Sequence, residues 1–253
     1  MDLNLSTKTV SGISIIEIYN PDLKKPAPLI ILIHGFSSKK EDMLSFGLEF
    51  AKEGYYTCMI DAYNHGELNF KKLEITNLVL KDILTIYDET INSINVLIDS
   101  YKRNELIDID QVGLFGTSMG GTIILKYLTD NYKENIKVAI PVITTAIWSN
   151  IIQIVIDNLE NTDNLNPDDQ KFLNDKDKNH ILNKIKKIPM LLLNGDNDEL
   201  IPIKKVLYDY NQLKKLYFNK ETINLISYPG LGHQVNMDMI KESKLWFKRF
   251  FYK

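Results

Sequence analysis

Gly116-Thr117-Ser118-Met119-Gly120-Gly121 stands between two unlike stretches. Before it, Gln111-Val112-Gly113-Leu114-Phe115 is a short apolar run of strand type; after it, Thr122 to Leu128 reads as a helix. A strand, a sharp turn with serine among small residues, then a helix is the context in which G-x-S-x-G marks a nucleophile elbow. The glycines have a steric reason. Serine at the tip of such a turn has a strained backbone, and Cβ atoms two residues to either side would strike the adjoining strand and helix. The turn also delivers Ser118 to the amino end of the helix, where free N–H groups and the helix dipole favour a developing negative charge. Glycine and serine are common in turns, so the motif alone leaves an ordinary strand–helix turn open.

Working outward, strands alternate with helices along almost the whole chain. Val10 to Tyr19 includes an alternating piece that predicts an edge strand ending at Asn20-Pro21. Leu29 to Ile33 is a continuous apolar run, the kind buried on both faces of a parallel sheet. Glu41 to Glu53 predicts a helix with Ser38 as N-cap and Gly54 closing it. Tyr56 to Ile60 is the next strand, and Leu78 to Ser100 a long helix with an apolar stripe at spacings of three and four. Strands follow at Ile136–Thr144, interrupted by Pro141, at Met190–Leu193 and at Ile223–Ser227. Helices are expected from Pro202 and over about Met237–Tyr252. The segment 145–187 breaks the alternation. This pattern predicts an α/β protein with an open, mostly parallel, doubly wound sheet, as one domain over 1–253. Ligands of such sheets sit outside the carboxyl ends of the strands, where His34, Ser118, Asp198 and His233 all fall.

Bulk properties narrow the function classes. A net charge of −3 gives no basic field for nucleic acid or an anionic membrane. The apolar runs are too short to span a bilayer, and Met1-Asp2-Leu3-Asn4 has no signal-peptide pattern. Cys58 is the single cysteine, which excludes an internal disulfide and fits a reducing cytoplasm, the expected location. No Cys/His cluster or two-histidine helical motif suggests a metal, and no phosphate loop suggests a nucleotide, so no cofactor is expected.

A serine hydroxyl needs a base within hydrogen-bond reach and an acid to hold that base. Gly195-Asp196-Asn197-Asp198 and Pro229-Gly230-Leu231-Gly232-His233 supply a carboxylate loop and a histidine loop in the order that follows an elbow. Four matches, in this order, carry a resemblance over nearly the whole chain: the His34-Gly35 loop, the Gly116–Gly120 elbow, the Gly195-x-x-Asp198 turn followed by Pro202, and Gly232-His233. The chain resembles the α/β-hydrolases. With His34-Gly35-Phe36 and Asp61-Ala62-Tyr63-Asn64-His65-Gly66-Glu67 it is most similar to small bacterial serine esterases, related to dienelactone hydrolases and to the catalytic domain of prolyl oligopeptidases. Dienelactone hydrolases proper carry cysteine at the elbow; Ser118 departs from that.

The resemblance implies Ser118 as nucleophile, His233 as general base then acid, and Asp198 as the acid orienting it. It implies an oxyanion hole from the backbone N–H groups of Phe36 and Met119. Asp196 competes for the acid role, and the family spacing favours Asp198. His34 is implied to be structural, holding the oxyanion loop. His65 lies near the rim and either touches substrate or makes a structural hydrogen bond. The insertion 145–187 reads as a small helical lid, in which Trp148 and Ile151 either line an acyl pocket or pack the insertion onto the domain. The expected activity is a carboxylesterase acting on small or medium esters, in a monomer or homodimer. A peptidase or amidase of prolyl-oligopeptidase type and a non-catalytic ligand-binding protein on the same scaffold are the alternatives.

Overall fold

The structure is a computed structural model, and it describes residues 2–68, 80–130, 132–150 and 179–251. Eight strands form one sheet: β1 (Asn4–Val10), β2 (Ile13–Tyr19), β3 (Ala27–Ile33), β4 (Tyr56–Ile60), β5 (Ile107–Thr117), β6 (Ile136–Val142), β7 (Met190–Gly195) and β8 (Ile223–Tyr228). Their spatial order is β1-β2-β4-β3-β5-β6-β7-β8. The β1–β2 and β2–β4 pairs are antiparallel, and the remaining neighbours are parallel.

β3 shows how the sequence builds both faces. All seven of its residues are buried. Because successive side chains of a strand point to opposite faces, Leu29, Ile31 and Ile33 enter one core and Ile30 and Leu32 the other. The first core is covered by α2 (Leu80–Ser100), α3 (Met119–Asp130) and α4 (Asn179–Lys184); the second by α1 (Leu44–Lys52) and α6 (Met237–Phe250). Each Leu or Ile sealed this way contributes roughly 1.5–3 kcal/mol. On α6 the inward stripe is Met239, Ile240, Ser243, Trp246, Phe247 and Phe250, and the Asn236 side chain caps the helix by accepting from the Met239 N–H at 3.0 Å. This is the doubly wound α/β architecture that the alternation predicts. Among the described residues, no helix is long and apolar enough to cross a membrane.

The sheet differs from the sequence reading at several points. β2 is not an edge strand: β1 lies outside it, joined by a tight hairpin whose Ser11 and Gly12 have φ of 50° and 85°. β5 begins at Ile107 rather than near Gln111, and pairs with β3 through a register shift at Pro28/Leu29. α3 begins at Met119, directly after the serine. The first turn before α1 is a 3-10 turn, Lys40–Met43, whose N-cap is Lys39; Ser38 serves instead by donating its hydroxyl to Asp42 Oδ2 at 2.6 Å. Gly54, at φ 90°, ends α1 as expected. Pro202 is the N-cap of α5 (Ile203–Lys215), not its first residue.

Pro141 sits inside β6 without breaking it. The N–H groups of Ala139 and Ile143 donate to the Pro189 and Leu193 carbonyls across the β6–β7 pair, at 3.0 and 2.7 Å. Residue 141 lies between them on the same side, so the missing proline N–H removes one rung from that ladder and leaves the β5 side intact.

Candidate active site

The elbow has the geometry its glycines imply. Ser118 has φ 52°, a left-handed conformation that costs a non-glycine residue energy. A Cβ on Gly116 would stand 2.5 Å from the Gly120 backbone, and one on Gly120 would stand 2.2 Å from the Ile33 carbonyl oxygen. One on Gly121 would stand 2.9 Å from the Thr144 side chain. The helix therefore starts against the ends of β3 and β6, closer than any side chain allows. The Ser118 N–H donates to the Val142 carbonyl at 2.8 Å, and the Ser118 carbonyl accepts from the Thr122 N–H at 3.0 Å and from its hydroxyl at 3.2 Å.

Three side chains separated in sequence meet here. His233 Nε2 lies 2.9 Å from Ser118 Oγ, and His233 Nδ1 lies 2.7 Å from Asp198 Oδ2. The other carboxylate oxygen of Asp198 accepts the Leu200 and Ile201 N–H groups at 3.0 and 2.8 Å. With one oxygen occupied by these donors, the other is left to accept Nδ1–H, an arrangement in which the imidazole presents Nε2 to the hydroxyl. His233 keeps about 25% of its side chain exposed, while Asp198 is sealed.

The two loops that bring Asp198 and His233 together are tied to each other. Asp196 Oδ1 accepts the Gly230 N–H at 2.6 Å, and the Asn197 N–H donates to the Leu231 carbonyl at 3.0 Å. Asp196 is thus occupied within the loop. A Cβ on Gly195 would stand 2.0 Å from the Leu231 carbonyl oxygen, so the histidine loop lies directly on the end of β7.

The His34-Gly35-Phe36 loop borders the serine: a Cβ on Gly35 would lie 3.5 Å from Ser118 Cβ. His34 is fully buried. Its Nε2 accepts the Ala62 N–H at 3.0 Å, so the proton sits on Nδ1 and is donated to the Gly35 carbonyl at 2.7 Å. Burial pushes its pKa down to about 4. Among the described residues, no other group accepts from the Phe36 or Met119 N–H. Met119 opens α3, where first-turn N–H groups lack helical partners.

His65 is buried, donates Nδ1–H to the Tyr63 carbonyl at 3.0 Å, and packs edge-on against Phe36 with ring centroids 5.1 Å apart. Trp148 is buried beside α3, with Lys126 Nζ 5.2 Å from its ring centre. Ile151 and most of the predicted lid, 151–178, lie outside the described residues. The entry to that segment is fastened: Asn150 donates to the buried Asp209 carboxylate of α5 at 2.7 Å.

Sequence reasoning passed over two features. Lys40 is completely buried and reaches Asp61 Oδ2 at 2.8 Å and Glu67 Oε1 at 3.1 Å. Burial pushes its pKa down, but these carboxylates more than offset that, and it stands above the ordinary lysine value. Backbone strain beyond Ser118, where the turn itself predicts it, is the second feature. Among the described residues, five non-glycine residues have positive φ, and four follow neighbouring strands: Asn64 after β4, Ser37 after β3, Ser118 after β5 and Ile143 after β6. Strain gathered at one end of the sheet is a mark of a functional site.

Residues 87–252 match the prolyl oligopeptidase family. The chain belongs to that family. It is an enzyme of the α/β-hydrolase class. "Putative esterase YitV" of Bacillus subtilis (strain 168) is 26% identical over 98% of this chain and 99% of its own. The crystal structure of TT1662 from Thermus thermophilus superposes with a TM-score of 0.78 at 15% identity, covering 98% of both chains. That of a "Putative Dienelactone Hydrolase" from Klebsiella pneumoniae gives 0.70 at 15% identity, covering 98% of this chain and 100% of that one. At such identities the two structures establish the α/β-hydrolase fold alone. The family match starts within α2, so β1 to β4, and with them the His34 loop, lie before it.

Proposed function

We propose that this chain is a serine carboxylesterase that cleaves small to medium carboxylic esters through an acyl-enzyme. The observation that carries the reading is the unbroken line from Asp198 through His233 to Ser118, with separations of 2.7 and 2.9 Å. Ser118 Oγ attacks the ester carbonyl carbon as His233 Nε2 takes its proton. The carbonyl oxygen becomes an oxyanion that accepts the Phe36 and Met119 N–H groups. Collapse breaks the bond to the alcohol oxygen, which leaves with the proton from His233. A water molecule, deprotonated by the same imidazole, then attacks the acyl-serine and releases the acid. Asp198 keeps the imidazole in the required tautomer and stabilises the imidazolium formed twice per cycle. Each oxyanion donor is worth roughly 3–4 kcal/mol. The name borne by the Bacillus relative supports an ester as the substrate. This reading treats the chain as one domain in the cytoplasm, with 145–187 as the lid over the serine.

The test is hydrolysis of short p-nitrophenyl esters by the protein and by Ser118→Ala. The variant is expected to lose at least roughly 10³-fold in kcat. Undiminished turnover by a clean Ser118→Ala preparation defeats the reading. The family match favours one second reading, a peptidase or amidase on the same residues. A panel of aminoacyl amides separates the two: the second reading expects them to be cleaved, whereas the esterase reading expects them to stay intact while esters of the same acyl group turn over.

A further inference from the structure

We propose that Lys40 and Asp61 are positioning residues for this reaction: their buried ion pair fixes the His34 imidazole, and through it the Gly35–Phe36 peptide that offers an N–H to the oxyanion. The inference rests on the esterase reading above and adds to it two residues that touch none of Ser118, His233 or Asp198 through the contacts described.

A buried charge persists only where all its donors and its counter-ion are satisfied. Lys40 Nζ meets Asp61 Oδ2 at 2.8 Å, Glu67 Oε1 at 3.1 Å and Glu41 Oε1 at 3.5 Å. Asp61 is equally saturated. Its Oδ1 accepts the Lys40 N–H at 2.8 Å, and its Oδ2 also accepts the Glu67 N–H at 3.3 Å. The loop after β4 wraps the carboxylate so closely that a Cβ on Gly66, at φ 54°, would stand 2.2 Å from Oδ1. One carboxylate therefore joins the loop after β3 to the loop after β4.

A second link between the same loops lies beside it. The residue after Asp61 is Ala62, whose N–H donates to His34 Nε2 at 3.0 Å, and Asp61 Oδ1 is 3.8 Å from that nitrogen. With Nε2 accepting, Nδ1–H must donate, and it grips the Gly35 carbonyl at 2.7 Å. The Ser38 N–H holds the same carbonyl from the other end of the turn at 3.3 Å. The described residues contain no cis peptide, so in the planar trans unit the Phe36 N–H points opposite to the Gly35 carbonyl. Aim of that N–H is therefore set by what holds the carbonyl, and what holds the carbonyl is set by where Asp61 and Ala62 stand. Without the Lys40 charge, Asp61 lacks its counter-ion and Ala62 loses its fixed position. An oxyanion donor acts in the transition state, so misalignment lowers kcat with little change in KM.

The experiment measures p-nitrophenyl acetate hydrolysis, melting temperature and fluorophosphonate labelling of Ser118 for the wild type, Lys40→Met, Lys40→Arg and Asp61→Glu. Nitrogen-15 NMR of the His34 ring at neutral pH accompanies them. Lys40→Met is expected to lose roughly 10- to 100-fold in kcat with KM nearly unchanged, a loss below that of deleting a donor outright. Lys40→Arg, which keeps the charge, is expected to recover part of the loss, and the His34 ring signals are expected to move in Lys40→Met. A folded Lys40→Met with wild-type kcat, whatever its melting temperature, overturns the proposal. Should Lys40→Met not fold, Lys40→Arg and Asp61→Glu decide: lowered kcat at a near-native melting temperature supports it, and unchanged kcat in both overturns it. A wild type that neither turns over ester nor takes the fluorophosphonate defeats the esterase reading itself, and this proposal falls with it.

Discussion

Two histidines stand on loops beside Ser118 in opposite surroundings. His233 is a quarter exposed, and its two nitrogens face a carboxylate and a hydroxyl. His34 is fully buried, and its two nitrogens face a backbone carbonyl and a backbone N–H. The first has a partner that stabilises a positive charge and a partner that can give up a proton. The second has neither, and one of its contacts would be lost on protonation. Residue type and place in the fold are shared; under the proposed esterase reading, the atoms at each ring nitrogen separate a proton carrier from a brace.

The widest separation is expected between activity and stability. His233→Gln should lower kcat by roughly 10⁴-fold while leaving the melting temperature close to that of the wild type, because a partly exposed loop residue holds little of the fold together. His34→Gln should do the reverse in proportion. It strands the Ala62 N–H in a dry site, which costs about 1–3 kcal/mol, and leaves the part-buried Gly35 carbonyl with the Ser38 N–H alone. Ester hydrolysis and thermal unfolding of the two variants check this. If His34→Gln lost activity as completely as His233→Gln without losing stability, the division between carrier and brace would be wrong.

Acid separates the same pair by a smaller amount. The His34 pKa is about 4 in the folded protein, lowered from 6.5 chiefly by burial. Above about pH 6.5 the ring is neutral folded or unfolded, and its contribution is fully present. As pH falls below that, the unfolded chain takes up a proton that the folded one refuses, and stability is lost until the folded ring also titrates. At about 1.4 kcal/mol for each pH unit of displacement, the loss is about 3 kcal/mol by pH 4, with about 2 kcal/mol of it already present at pH 5. His65, whose pKa is also lowered by burial, shifts stability in the same direction. Urea unfolding at pH 7, 6 and 5 reads this in a range where most carboxylates remain ionised. A flat profile from pH 7 to 5 would mean that His34 is not sealed.

The division between these regions also marks what the sequence makes legible. The open side is written in short local patterns. Gly116 and Gly120 around Ser118, Gly195 before Asp198 and Gly232 before His233 stand in short patterns that can be read locally, although the atoms that crowd Gly120 and Gly195 belong to Ile33 and Leu231, far along the chain. The parallel strands are legible for a similar reason, since β3, β4 and β7 are short runs buried along their whole length. The sealed side leaves no such trace. Lys40 stands in Ser38-Lys39-Lys40-Glu41-Asp42, which reads as a solvated run, and its partner is 21 residues away. β1 is hidden for another reason: it is largely exposed, so it lacks an apolar alternation, and it is held by its ladder to β2 and by the Ser11-Gly12 turn. Its absence from the sequence reading is what made β2 look like an edge. The bend at Ile143, φ 48°, is equally unreadable, because a β-branched residue gives no hint of a left-handed backbone.

The smallest expected effect sharpens the open side alone. Ser118 has φ 52°, where a Cβ is crowded. Ser118→Ala and Ser118→Gly remove the same hydroxyl. They differ in whether the strain is kept, since only glycine occupies a left-handed position without a clash. Ser118→Gly should therefore be the more stable of the two by about 1 kcal/mol, even though glycine also loosens the unfolded chain. Paired denaturant unfolding at one pH checks this, with equal slopes confirming that the same surface is exposed. If the alanine variant proves as stable as the glycine one, the left-handed turn is relaxed by its neighbours, and Ser118 is held out by packing of Gly116 and Gly120 without stored strain.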